Sequence, residues 1–329
     1  MDYLFVGIDI SKDKFDLCIL DGNHQVLQQN AVLANTSKGI KQLLSLLTAH
    51  GIDGCWVCME HTGHYGALLA SELASAGVRF SLVNPLEIKR SSGLTRGKND
   101  AVDAYRIASY AVRHQYKLKP YRLAGKALQQ LKVKLSQRAF YTKMLIQNKN
   151  NLKSLEVLAQ SSSCGLEIRT AKASIRNNER IIARLDAQLL KLIEAAPELK
   201  ATFDKITQLD GIGLVTAATC IVETDNFQRF SNARKFCCHA GLAPFDYQSG
   251  SSIRSPKRTS PFRNKALKAL LIRAGMTAGV HDPQLNAYKK RKRKQGKHAM
   301  VVNNALAAKL VARMFAVVAR EEPYVKLAA

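Results

Sequence analysis

At 329 residues the chain is long enough for two or three domains, and a hydrophobic fraction of 47% is ample for packed cores. Its 50 Lys and Arg against 25 Asp and Glu give a formal charge of +25, spread along the chain, which points to a polyanionic partner, nucleic acid before an anionic membrane surface. No apolar run reaches the ~18 residues of a membrane span and no basic stretch precedes the first apolar one, so we expect a cytoplasmic protein with no membrane partner. Seven cysteines at irregular spacing argue against a disulfide framework. Cys55 and Cys58 fall in a strand, where residues three apart face opposite sides, so they read as core thiols and not as a metal pair.

The first third reads as βββαβαβα. Residues 3–10, 14–20 and 25–33 are three short strands joined by tight turns, including Asp21-Gly22-Asn23. A helix over 37–50 follows, with its N-cap among Asn35, Thr36 and Ser37 and with Ile40, Leu43, Leu44 and Leu47 on its apolar face. Strand 54–60, helix 64–77, strand 78–83 and helix 100–114 complete the region, the second of these strands stopping at Asn84-Pro85. A three-strand meander followed by right-handed crossovers puts the first and fourth strands side by side in mid-sheet, the ribonuclease-H-like order.

Four acidic residues stand out on that frame. Asp9 ends the first strand and Glu60 the fourth, at the carboxyl ends where α/β sheets place their chemistry. Asp100 and Asp103 are three apart on a helix and so share a face, and that helix can pack across the other two. Crowded carboxylates repel one another unless some protonate or a hard divalent cation joins them, and in a strongly cationic chain the cation is the physical reason to gather four.

Residues 124–155 read as one long basic helix with Leu128, Leu131, Leu135, Leu145, Leu152 and Leu155 as an apolar stripe. Its lysines either cover a solvated face or track a phosphate backbone. Residues 166–193 carry a heptad, with Ile168, Ile175, Ile182 and Leu189 at a, and Ala171, Asn178, Leu185 and Leu192 at d. That pattern suits a coiled coil between chains, Asn178 setting register, or a hairpin folded back on 124–155.

The last third opens on Leu209-Asp-Gly211-Ile-Gly213, either a helix-hairpin-helix turn whose amides hold a DNA phosphate or a plain glycine turn. Next comes Tyr247-Gln-Ser249-Gly-Ser251-Ser252-Ile-Arg254-Ser-Pro-Lys257-Arg258, hydroxyls beside cations with no histidine triad near. It is either a nucleophile facing a phosphate or a flexible polar loop. A helix over 264–280 leads to six successive basic residues, Lys289, Lys290, Arg291, Lys292, Arg293 and Lys294, which read as a phosphate-binding tract. Helix 299–319 is apolar enough for a core. We expect domains at 1–120, 121–200 and 201–329, the last mostly helical.

Together these motifs resemble the DEDD-type transposases of bacterial insertion sequences, the IS one-ten group of bridge-RNA-guided DNA recombinases, over nearly the whole chain. Gly7-Ile-Asp9-Ile-Ser-Lys12 is similar to that family's first acidic motif, Glu60-His-Thr-Gly63 to the second and Asn99-Asp100-Ala-Val-Asp103-Ala to the paired third and fourth. Pro244 to Ser252 resembles its serine motif. The resemblance implies a RuvC-like first domain that binds Mg²⁺, or Mn²⁺, through Asp9, Glu60, Asp100 and Asp103. It implies Ser249 as nucleophile, with a covalent phosphoserine–DNA intermediate. It also implies a dimer or tetramer joined by the coiled coil, active sites shared between protomers, and donor and target DNA chosen by a structured guide RNA.

Two rival classes remain. A RuvC-like junction nuclease would use water and leave Ser249 idle; the serine motif beyond residue 120 counts against it. A basic nucleic-acid-packaging protein would need no acidic tetrad.

Overall fold

The computed structural model describes residues 3–61, 63–91, 93, 100–249, 253–320 and 324–325. The chain divides into two compact units, Met1–Leu123 and Ala124–Ala329. The stretches 121–200 and 201–329, expected as separate domains, fall almost entirely in the second unit.

In the first unit β1 (Leu4–Ile10), β2 (Lys14–Leu20) and β3 (Val26–Ala34) form the antiparallel meander. Asp21 makes the turn between β2 and β3, its Oδ1 accepting from the backbone N–H of Asn23 and Gln25. Then come α1 (Ser37–Ala49), β4 (Cys55–Glu60), α2 (Ala67–Ser75), β5 (Arg79–Val83), α3 (Pro85–Ser91) and α4 (Asp100–Arg113). Thr36 caps α1 by accepting from Gly39 N–H. The sheet order is β3-β2-β1-β4-β5, with β1, β4 and β5 parallel, so the first and fourth strands do lie side by side in mid-sheet. Helix α3 was not expected. Pro85 does not break it, because proline at the first helical position lacks only an N–H that has no partner anyway, and Asn84 Oδ1 accepts from Leu86 N–H.

Both faces of this sheet are covered, which is why β1 and β2 read as nearly continuous apolar runs. Val6, Ile8, Phe15, Leu17, Val57 and Met59 pack against α1 and α2 on one side. Phe5, Cys18, Leu20 and Cys58 pack against α4 and Ile88 of α3 on the other. Cys55 and Cys58 belong to opposite faces, as their spacing requires. Burial pushes the thiol of Cys58 up to about 12 and that of Cys18 to about 11, so both stay protonated packing groups.

The second unit begins with α5 (Lys126–Leu158) and α6 (Gly165–Glu194), packed along each other as an antiparallel hairpin. Arg138 grips Asp186 with Nε at 2.5 Å from Oδ1 and Nη2 at 3.1 Å from Oδ2, and Lys149 meets Glu179 at 2.8 Å. Within this chain, therefore, the partner of the heptad seam is α5: Ala171, Asn178 and Leu189 are buried and the other a and d residues half-buried. Of the two readings of the heptad, the hairpin folded back on 124–155 is the one found within this chain. A heptad reports the stripe and not what covers it.

Helices α7 (Pro197–Thr207), α8 (Leu214–Glu223), α9 (Ala233–Ala240), α10 (Lys265–His281), α11 (Pro283–Lys294) and α12 (Ala299–Ala319) share one core with the hairpin's base. Between α9 and α10 lies a two-stranded antiparallel sheet, β6 (Pro244–Ser249) and β7 (Ile253–Thr259). Contrary to the sequence expectation, α12 is long and apolar enough to cross a membrane, with a mean hydropathy of 1.5. Its Val302, Leu306, Leu310 and Met314 are buried in the core of the second unit, so its apolarity is that of a core helix.

Candidate active site

The acidic face starts from strand register. Pairs run from Leu4 with Cys55 to Ile8 with Met59, and the next step in that register sets Asp9 level with Glu60. Strand alternation puts Asp9 and Glu60 on the face that carries Phe5, Gly7 and Cys58, the face covered by α4. Gly7 is what lets α4 come so close. A Cβ there would lie 2.2 Å from the Ala104 carbonyl oxygen and 2.3 Å from Ala108 N. Asp103 directly precedes Ala104 at this contact. Asp9 and Glu60 are half-buried.

Asp103 is held by Arg106, whose Nη1 donates to Oδ1 at 2.7 Å. Asp100 opens α4, but its side chain lies outside the described residues, as do Lys98, Asn99 and Thr62 of the neighbouring motifs. Among the described residues no three His, Cys, Asp or Glu side chains stand close enough together to hold a metal ion. The donor chemistry nonetheless fits a hard divalent cation, since every candidate ligand is a carboxylate and two lie on adjacent strands.

One acidic residue on this face escaped the sequence reading. Asp16 of β2 pairs directly with Asp9 across the sheet and is only 5% exposed. Lys14 Nζ lies 3.1 Å from its Oδ2. A carboxylate at an alternating position of a strand looks like a solvent-facing residue; that a helix covers this face could only be inferred from the apolar Cys18 and Leu20 that continue it.

In the second unit the Ser-Gly-Ser-Ser segment begins where β6 ends, and β7 starts at Ile253. Ser249 is the last residue of β6 and pairs with Ile253. Its side chain and that of Arg254, together with residues 250–252, lie outside the described residues. The flexible-loop reading is thus corrected for the flanks: 244–249 and 253–259 are strands. Arg258 is exposed, whereas Lys257 is engaged with Asp246 at 2.8 Å.

The glycine turn separates two roles. Gly211 sits at φ +87°, and a Cβ there would meet the Ala274 carbonyl oxygen at 2.3 Å, so it seats the turn against α10. Gly213 is exposed at the N-terminus of α8, and a Cβ added there would meet nothing within 4 Å. The six basic residues are the second half of α11, not an extended tract; Lys290, Arg291, Arg293 and Lys294 are exposed, Lys289 and Lys292 half-buried. Arg291, Lys292 and Lys309 surround the Tyr288 ring at 5.6, 5.9 and 4.6 Å from its centroid.

Comparison with known proteins divides along the same lines. A family model for the DEDD-type IS110 group, described as "Transposase", matches residues 6–160, the segment with the acidic face. A second, described as "Transposase IS116/IS110/IS902 family", matches residues 204–290, the segment with the hairpin. The chain is 28% identical over 334 residues to the pilin gene-inverting protein of Moraxella bovis, covering 99% of both. It is 23% identical to the transposase for insertion sequence element IS1111A of Coxiella burnetii, over 76% of this chain and 71% of that one. Among solved structures, T. thermophilus RuvC in complex with a Holliday junction substrate aligns with 36% of this chain and 99% of its own, at 14% identity and a TM-score of 0.28. The two family models between them account for most of the chain, in the order acidic unit then hairpin unit, and on that ground the chain belongs to the IS110 family of transposases.

Proposed function

We propose that this transposase cuts and rejoins DNA through Ser249, with donor and target sites chosen by a structured guide RNA. In the reaction the Ser249 hydroxyl oxygen bonds to a backbone phosphorus and loses its proton. The bond from phosphorus to the leaving sugar oxygen breaks, and that oxygen takes up a proton. The DNA end is then held as a phosphoserine ester, and the reverse attack by a different DNA hydroxyl rejoins the strand. The relative named for inverting a pilin gene supports rejoining, because inversion needs cut ends to be sealed again, which a water-using nuclease does not do.

The observation that carries this reading is the β1–β4 register, which sets Asp9 beside Glu60 on the face covered by α4. Asp9, Glu60, Asp100 and Asp103 would hold Mg²⁺, or Mn²⁺ in its place, with Asp103 exchanging Arg106 for the cation. Bound there, the cation would supply positive charge for the reacting phosphate and favour the ionised nucleophile. The chain's own parts do the rest. The hairpin presents Ser249 at the end of β6, Gly250 gives the backbone freedom to turn after it, and the exposed Arg258 and α11 cations attract phosphate. Assembly into a dimer or tetramer would use apolar residues that the α5–α6 hairpin leaves exposed, such as Phe140, Ile146 and Val157.

The test incubates the protein, Mg²⁺ and element-derived RNA with labelled donor DNA and maps any protein–DNA adduct by mass spectrometry. The wild type should give an adduct on the Ser249 peptide, Ser249→Ala none with nucleic-acid binding retained, and Asp9→Asn or Glu60→Gln neither adduct nor recombination. An adduct on Ser251, Ser252 or Tyr247 would overturn the assignment of the nucleophile. Cleavage without adduct would favour the junction nuclease, and adduct formation undiminished without the RNA would overturn guidance.

A further inference from the structure

Outside the acidic face, the second unit contains a carboxylate that joins three elements at one point. Glu223 ends α8. Its Oε2 lies 3.1 Å from Nε2 of His239 on α9, the geometry of a ring N–H donating to a carboxylate. Its Oε1 accepts from Nδ2 of Asn264, the N-cap of α10, at 3.2 Å. His239 and Asn264 are the two feet of the insert that carries β6 and β7: the chain leaves α9 just after His239 and re-enters α10 just after Asn264. The feet also touch directly, Asn264 N–H donating to the His239 carbonyl oxygen at 3.1 Å. Above them, Gly241 at φ +74° lies so close to Arg263 that a Cβ would meet its side chain at 2.3 Å. Lys268 Nζ donates to Thr259 Oγ1 at the end of β7, 3.1 Å away.

The chain after Glu223 is shaped to keep that carboxylate in place. Asp225, Asn226 and Phe227 all have positive φ, at 50°, 51° and 64°. Three successive non-glycine residues in the left-handed region are costly and persist only where surroundings dictate them. Thr224, fully buried, secures the turn: its hydroxyl donates to the Cys220 carbonyl at 2.6 Å and accepts from Phe227 N–H at 2.9 Å. On the other side the His239 ring packs against Phe230 with centroids 5.3 Å apart.

We propose that Glu223 is a positioning residue of the transposition reaction: by bonding both feet of the β6–β7 hairpin with one carboxylate, it fixes where the hairpin presents Ser249. The proposal rests on the reading of Ser249 as nucleophile for its catalytic consequence, but not for its structural one. The hairpin is a two-stranded ribbon, marginal by itself, so its orientation depends on how its feet are held. Removal of the carboxylate breaks two bonds at once. Glutamine can preserve both, its oxygen accepting from Asn264 and its amide donating to an imidazole nitrogen of the other tautomer.

The experiment follows backbone hydrogen exchange in the full-length protein, alongside adduct formation on donor DNA. In Glu223→Ala the amides of 244–249 and 253–259 should exchange at least about tenfold faster, from the loss of two hydrogen bonds to a charged group. Those of α12 should be unchanged, and the adduct rate should fall at least as far. Glu223→Gln should recover most of both. Unchanged hairpin exchange in Glu223→Ala overturns the proposal, and so does acceleration spread equally over the whole 124–329 unit, which would mean a general structural role. A loosened hairpin that still forms the Ser249 adduct at the wild-type rate removes the positioning role. A loosened hairpin with the adduct on another residue leaves the clamp standing and refutes the reading of Ser249.

Discussion

Gly7→Ala tests how the acidic face is built. The added Cβ would sit 2.2 Å from Ala104 O and 2.3 Å from Ala108 N, where ordinary contact begins at 3.4 Å. Both obstacles are helix backbone and cannot rotate away, so α4 has to lift by about 1 Å. Overpacking of this kind costs roughly 1–3 kcal/mol, offset by the ~0.4–1 kcal/mol that alanine saves in the unfolded chain. The net loss should be on the order of 1–2 kcal/mol. Trp56, the one tryptophan, lies in β4 with its Nε1 donating to Ser81 Oγ at 2.9 Å, so its fluorescence reports on the first unit. With a urea slope of about 1–3 kcal/mol per molar, the midpoint should drop by roughly 0.5–1 M. Displacing Asp103 from Asp9 and Glu60 by such an amount should lower recombination about 100-fold. Gly22→Ala, with nothing within 4 Å of its added Cβ, is the control and should stay within about 0.5 kcal/mol of wild type. A Gly7→Ala protein as stable and active as Gly22→Ala would refute the direct seating of α4 on β1.

Three other predictions concern the second unit. Replacing Ile175, Ile182 and Leu185 with Asp puts unpaired charge into the α5–α6 seam and should lower helix content by circular dichroism; a smaller mass by light scattering with helicity intact would mean that the seam is intermolecular. Neutralising Lys289 to Lys294 should flatten the salt dependence of nucleic-acid binding by about one unit of log–log slope for each phosphate that α11 no longer neutralises, and an identical slope would show that α11 binds none. The Glu223 carboxyl is held below its ordinary value, chiefly by the hydrogen bond from His239, with help from the charges of His239, Arg229 and Lys132 and against the effect of burial. A lowered folded pKa means stability that is present above the unfolded pKa and is lost as pH falls through the folded one. Glu223→Gln should therefore lessen the acid-side fall in melting temperature, and an acid limb of unaltered steepness would exclude that coupling.

The order of elements in the first unit could be read from the chain because each signal is local. Alternation and apolar runs mark the strands, Asp21-Gly22-Asn23 marks a turn that Asp21 itself bonds, and Thr36 caps the helix that follows. Right-handed crossover then leaves one sheet order, and with it Asp9 and Glu60 on neighbouring strands. What tertiary structure alone decided was which surfaces meet. The heptad of α6 looks the same whether α5 or another chain covers it, and only packing shows Ala171, Asn178 and Leu189 turned to α5. The strands beside Ser249 were hidden because Pro244, Gly250 and Pro256 interrupt the alternation, while pairing across the hairpin restores them. Gly7 read as one more glycine in a motif until α4 lay on it, and Asp16 drew no notice until the fold buried it beside Asp9. Glu223, His239 and Asn264 lie tens of residues apart in the chain, and no local pattern joins them. Local bonds and periodicities are properties of neighbouring residues, whereas burial and long-range bonds exist only once distant segments have been brought together.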